Sequence, residues 1–311
     1  MKINNVLIAG AGAVGLAFAE IINNYDHNCL SILAKGERLE RYREKGFWVN
    51  GKKQDFRFSS GEKADLIIVA TKFHHLDAVL EDIKPSLTKD TIILSLLNGI
   101  TSEEIIAKKL GVKLPPLAMI LGIDAFHEEG KVTYSQIGVI HFGEADGKNG
   151  EREEAVADFF KRCGVPFELE TNMKRKLWYK YMINVGANQT TAVLKLPNGV
   201  NQTRGEKWEI NEARMLFEKT MREVVTVANA EGIDLNEEDV KSGLRVTNSL
   251  SPKSYTSMCQ DVLAGRKTEV EMFSLTLMEL AKKHGISVPV NEVLYLQLKI
   301  IEKRGEQGSG S

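Results

Sequence analysis

The run "NVLIAGAGAVGLAFAEIINN" (5–24) constrains the fold more than any other stretch of the chain. "NVLIAG" (5–10) reads as a buried strand, and "AVGLAFAEIINN" (13–24) reads as the helix that follows it. Between them stand Gly10, Ala11, Gly12, Ala13, Val14 and Gly15, which fit the spacing G-x-G-x-x-G. The hexapeptide alone is a weak signal. Preceded by a strand and opening a helix, it is the loop that cradles a dinucleotide. Gly10 permits the tight turn, Gly12 lets the backbone approach a pyrophosphate, and Gly15 lets the helix pack close to the strand. The first-turn N–H groups and the positive end of the helix dipole then face the phosphates. The plainer alternative is a glycine-rich turn that holds nothing.

The alternation continues. "CLSIL" (29–33), "ADLIIVAT" (64–71), "TIILSLLN" (91–98) and "PLAMILGID" (116–124) have strand character, and 75–87 and 101–110 have helix character. Strands alternating with helices predict a parallel, doubly wound sheet. Residues 131–144 alternate with period two around an apparent turn, which predicts an antiparallel hairpin at the sheet edge. A second hairpin is expected over 47–59, turning at "NGKK". From about residue 172 the strand-like runs stop. Helices are expected over 172–195, 206–231, 236–248, 267–284 and 290–303, separated by Gly, Pro and Asn punctuation. The expected class is therefore α/β, an N-terminal Rossmann-type doubly wound sheet followed by an all-helical C-terminal domain. The boundary falls near 165–171, giving a nucleotide-binding domain over 1–170 and a helical substrate and catalytic domain over 171–304. The tail "GEQGSGS" (305–311) reads as a disordered, linker-like appendage outside the fold.

Bulk properties narrow the function. A formal net charge of -1 over 311 residues gives no reason to expect nucleic acid or a membrane surface as partner. No apolar run approaches the ~20 residues that span a bilayer. The N-terminus lacks the features of a secretory signal. Cys29, Cys163 and Cys259 are odd in number and far apart, so neither a disulfide framework nor a metal site is expected. A reducing, cytoplasmic setting fits.

Candidate ligand groups cluster after strands. At the end of the second strand, NAD enzymes of this class carry an acid for the ribose. Here Lys35 stands there, with Arg38 nearby, which favours the 2′-phosphate of NADP over NAD. Lys72 and Asn98 each follow a strand, on the edge where open α/β sheets bind ligands. His74 and His75 read as a helix start, and His141 as a strand residue with a satisfied hydrogen bond.

The helical half holds one unusual stretch, "KLWYKYMINVGANQT" (176–190). Trp178, Tyr181, Met182, Val185 and Ala187 suit a core, yet Lys180, Asn184 and Asn188 recur every four residues. That spacing stacks an ammonium and two carboxamides on one helix face. Asn is poor in mid-helix and costly to bury unpaired. The stripe therefore suggests a polar pocket wall.

Together, GAGAVG, Lys72 in "ATK", Asn98 in "LNG", "LWYKYMINVGANQTTAVLKLPNG" and "SYTSMCQDVLAGRKTEVE" resemble the ketopantoate reductases, across essentially the whole chain. The resemblance implies NADPH-dependent reduction of 2-dehydropantoate to (R)-pantoate in pantothenate and coenzyme A biosynthesis. It makes Lys180 the general acid and gives Asn184, Asn188, Asn198, Asn98 and Ser257 to the substrate. Glu269 would contact Lys180 and the cofactor, with Lys72, Asn98, Ala125 and Phe126 on the nicotinamide side. The two halves would close around the substrate, and the helical half could build a homodimer. Two positions depart from the family pattern. Lys35 stands where arginine is frequent, which leaves NAD open as cofactor, and Gln189 stands where proline is frequent, which would reshape the pocket. A D-2-hydroxyacid dehydrogenase for another branched 2-oxo acid and a non-catalytic dinucleotide sensor are the competing readings.

Overall fold

The computed structural model describes residues 1–128, 130–202 and 211–308, and the chain separates into two compact units, Met1–Lys174 and Arg175–Ser311. The first unit runs β1 (Val6–Ala9), α1 (Ala13–Tyr25), β2 (Leu30–Leu33), α2 (Gly36–Lys45), β3 (Phe47–Val49), β4 (Lys52–Gln54) and β5 (Phe58–Ser59). It continues through β6 (Leu66–Val69), α3 (Leu76–Ile83), β7 (Ile92–Ser95), α4 (Ser102–Leu110), β8 (Leu117–Glu128), β9 (Lys131–Gly143), α5 (Glu151–Cys163) and β10 (Phe167–Leu169).

Five strands form the parallel sheet in the order β5-β2-β1-β6-β7. The chain leaves β1 toward β2 on one side and returns to β6 on the other, so β1 borders the switch point where such sheets bind ligands. The strands read as unbroken apolar runs because both faces are covered. Val6, Ile8, Leu66, Ile68, Ile92 and Leu94 point into one core with α1 and α5. Leu7, Ala9, Ile67, Val69 and Ile93 point into the other, with α3 and Ile106 of α4. Each of the Val, Leu and Ile side chains contributes roughly 1.5–3 kcal/mol when fully buried.

Three sequence expectations need correction here. The run 131–144 does not fold back on itself, because β9 is one continuous strand paired antiparallel with β8. Gly138 mimics a turn, but its φ of 74° serves the close approach of β8, where a Cβ would lie 2.6 Å from the Leu121 carbonyl oxygen. Nor do β8 and β9 extend the parallel sheet. They join β10, β3 and β4 in a second, mixed sheet. The hairpin over 47–59 is shorter than expected. Asn50 and Gly51 take the positive φ values of its turn, and β5 departs to pair with β2.

The second unit is helical: α6 (Met173–Leu194), α7 (Asn211–Ala230), α8 (Glu237–Ser249), α9 (Ser257–Leu263), α10 (Thr276–Lys283) and α11 (Pro289–Gly308). The start expected for the second helix, at 206, lies outside the described residues. So do residues 309–311 of the tail, whereas α11 continues through Gly308. The helix expected over 267–284 begins later, with a π turn at Glu271–Leu275 that runs into α10. The short helix α9 carries no strong periodic signal and was not expected. Most of α6 beyond Tyr181 is buried, so it is the central rod of this unit. Gly186 explains how α7 reaches it: a Cβ there would lie 2.5 Å from the Phe217 ring.

Candidate functional site

The first unit builds a nucleotide-type cradle from backbone. Gly10 has φ 129°, and a Cβ would lie 2.3 Å from the Ala70 carbonyl oxygen at the end of β6. A Cβ on Gly15 would lie 1.9 Å from the Gly10 carbonyl oxygen, so α1 starts hard against β1. On Gly12 a Cβ would meet nothing within 4 Å, so the space in front of the loop is open. Gly12 also caps α1 without a side-chain bond, and no acid lies in the first turn. The N–H groups of Ala13 and Val14 thus open a helix end suited to a phosphate. These residues fit a dinucleotide.

Lys72 and Asn98 follow β6, which pairs with β1, and β7, which pairs with β6 at the sheet edge. His74 and His75 start a helix, as a 3-10 turn entering α3. Lys35 stands at the end of β2 as the cap of α2, but its ammonium is engaged. It donates to the Asp82 carbonyl at 3.0 Å and pairs with the Asp82 carboxylate at 3.2 Å. Both side chains are over 40% exposed, so the pair is worth at most ~1 kcal/mol and a phosphate could displace it. Ala125 and Phe126 follow a register shift in β8, and Phe126 is exposed. His141, on β9, bonds Glu170 at 2.7 Å.

The second unit builds its constellation from side chains on α6. Desolvation pushes the Lys180 ammonium down to about 8, against the opposing pull of the Glu269 carboxylate. Burial is therefore the larger influence, and the charge acting against it is a carboxylate on the segment between α9 and the π turn. Asn184 and Asn188 follow one and two turns along the helix. Asn188 is 6% exposed, and its Oδ1 accepts from the Ser257 hydroxyl and the Met258 N–H, both at 3.2 Å. The carboxamide thus ties down the N-terminus of α9 and leaves its Nδ2 as the donor it can offer. Thr191, one turn on, bonds Thr256, which caps α9.

Asn198 lies in a 3-10 turn, where its Nδ2 donates to Ser254 at 2.9 Å. Its Oδ1 is buried without a partner among the described residues. Gln189 does not reshape the polar stripe. It is fully buried and bonded into the helical core, to Ser274 and Asn291. Asp82, Thr256 and Ser274 were not singled out in the sequence, since each contact spans tens of residues and leaves no local pattern. The three thiols are free and buried, and burial pushes each of them up, to about 11 or 12. Among the described residues no group of His, Cys, Asp and Glu could hold a metal ion, and no helix is long and apolar enough to cross a membrane.

The family model of ketopantoate reductase PanE/ApbA matches residues 6–147, and the model of its C-terminal part matches 172–302. The chain belongs to the ketopantoate reductase family. It is accordingly an NAD(P)H-dependent oxidoreductase with a Rossmann-like first unit and a helical second unit. A 2-dehydropantoate 2-reductase of Streptococcus pyogenes is 26% identical over 296 residues, 91% of this chain and 93% of the relative. D-mandelate dehydrogenase, solved with NADH and anilino(oxo)acetate, shares the fold at TM-score 0.84 and 23% identity, covering 97% of this chain and 99% of that one. A dimeric ketopantoate reductase from Staphylococcus aureus does so at TM-score 0.80 and 22% identity, with the same coverage.

Proposed function

We propose that the chain reduces 2-dehydropantoate to (R)-pantoate with NADPH, and that Lys180 is the general acid. The first unit, through the loop Gly10–Gly15, holds the nucleotide. The second unit supplies the proton and the substrate contacts. When bound, the nicotinamide nucleotide supplies the hydride to the carbonyl carbon. Lys180 gives its Nζ proton to the carbonyl oxygen and offsets the charge that develops there. Glu269 keeps Lys180 charged against its burial. Asn184 and the Nδ2 of Asn188 orient the acid, with Ser257, Asn198 and Asn98 as further contacts. Lys72, Ala125 and Phe126 border the nicotinamide.

The reading rests chiefly on Lys180, a desolvated ammonium acted on by a carboxylate, two turns from a buried Asn on the same helix. A lysine near 8 still carries its proton at neutral pH and releases it more readily than a surface lysine. The setting is cytoplasmic, in keeping with free buried thiols, and the assembly is a homodimer, in keeping with the dimeric relative.

A second reading has its own support. The Lys35–Asp82 pair competes with a 2′-phosphate, and the mandelate dehydrogenase of this fold is solved with NADH. The chain would then reduce another branched 2-oxo acid with NADH. Rates with 2-dehydropantoate and 2-oxoisovalerate, each with NADH and NADPH, decide. The highest kcat/KM for 2-dehydropantoate with NADPH supports the first reading, and preference for the other pairing supports the second. Nucleotide binding with no oxidation in any combination would make the chain a sensor and overturn both.

A further inference from the structure

The second unit holds a buried polar chain that the proposed chemistry does not use. Gln189 follows Asn188 on α6 but points elsewhere. Its Nε2 donates to the Val185 carbonyl at 2.9 Å and to the Asn291 Oδ1 at 3.0 Å, and its Oε1 accepts from the Ser274 hydroxyl. Asn291, in the first turn of α11, donates from its backbone and from its Nδ2 to Glu223 of α7, at 3.0 and 2.8 Å. Gln189, Ser274 and Asn291 are each 0% exposed. Burying three such groups is costly, and only a satisfied network recovers the cost. An apolar core would have packed as well with less risk.

What the chain grips is the π turn. Ser274 lies inside Glu271–Leu275, a wide turn of a kind that is rare and frequent at functional sites. Tyr181, the neighbour of Lys180, donates its buried hydroxyl to the Phe273 carbonyl of the same turn at 2.5 Å. The helix α6 therefore holds the turn at two points eight residues apart, roughly 12 Å along the axis. On its other side, Glu271 pairs with Lys299, which also pairs with Glu302, and Glu302 accepts from Thr268. The segment so clamped carries Glu269, whose carbonyl accepts from the Phe273 N–H at 3.2 Å. The Glu269 charge acts on Lys180.

We propose that Gln189 is a positioning residue: with Ser274 and Asn291 it locks the π turn against α6 and so holds the Glu269 carboxylate in register with Lys180. The inference rests on Lys180 as the general acid, and it assigns no role to Gln189 in choosing the substrate. Without the lock, Glu269 drifts, Lys180 loses its counter-charge, and its proton is lost at lower pH.

The test uses the full chain with Gln189→Met, Ser274→Ala and Ser274→Thr, where threonine keeps the hydroxyl. Lys180 is titrated by NMR on ¹³C-ε-lysine protein, assigned with Lys180→Arg, and the pH profile of kcat is read alongside. Gln189→Met and Ser274→Ala should move the titration and the high-pH limb down by about one unit and cut kcat at pH 8 about five-fold. Ser274→Thr should return both toward wild type. In a Glu269→Gln background, Gln189→Met should add less than about two-fold. A lower melting temperature with an unmoved titration, or an equal shift in the Glu269→Gln background, overturns the proposal. A titration that moves while Lys180→Ala keeps its turnover would spare the positioning role and sink the general acid.

Discussion

The two units make their candidate sites from different materials. The first uses backbone: three glycines, a bare helix end, and the ends of adjacent strands. The second uses side chains on a buried helix, each held by partners far away in sequence. A backbone cradle needs absence, since Gly12 serves by leaving space empty and Gly10 and Gly15 by permitting contact. A side-chain site needs presence and support. Lys180 has Glu269, and Asn188 has the start of α9. The first kind should fail when atoms are added, the second when they are removed.

That contrast can be broken from either side. The largest effect is expected from Lys180→Met, which should lower kcat about 10²–10⁴-fold while NADPH titration stays within about two-fold of wild type. Loss of nucleotide binding instead would erase the division between units. Gly15→Val comes next. Its side chain must displace the Gly10 carbonyl, so NADPH affinity should drop on the order of 100-fold by fluorescence titration.

A smaller effect sharpens the comparison, because the first unit also hides one side-chain device. Glu103 is 2% exposed, and burial pushes its carboxyl from 4.5 up to about 7, with opposing bonds from Ser102 at 2.8 Å and the Ala118 N–H at 3.3 Å. Its folded value lies above its ordinary one. Its contribution to stability is therefore full below about 4.5 and lost as pH rises through about 7. In urea unfolding, Glu103→Gln should lose about 3 kcal/mol less stability than wild type across that window, with turnover unchanged. The smallest effect is at Lys35, the cation at the end of β2. Lys35→Ala should raise the KM for NADPH about five-fold and leave that for NADH unchanged. Equal changes for both would mean that Lys35 serves only Asp82.

The same contrast explains what was legible in the sequence. GAGAVG could be read because all its contacts are local and its spacing is fixed. The strand runs could be read because both faces are buried. Gly138 misled, since a glycine that admits a neighbouring strand looks like a glycine that turns. The stripe Lys180, Asn184, Asn188 was visible as a helical period, but its partners were not. Ser257 is 69 residues from Asn188, and Glu269 is reached only through the fold. Gln189 shows the limit best. It stands beside the stripe in sequence, yet one residue of helical rotation turns it into the core, toward Ser274 and Asn291.

The central claim is that Lys180 donates the proton. Single-turnover loss of NADPH absorbance with 2-dehydropantoate, followed from pH 6 to 10, tests it most directly. The acid form is needed, so the rate should hold below and fall tenfold per unit above about 8, where desolvation leaves Lys180. A rate that stays flat to pH 10, or a limb that survives in Lys180→Met, would contradict it.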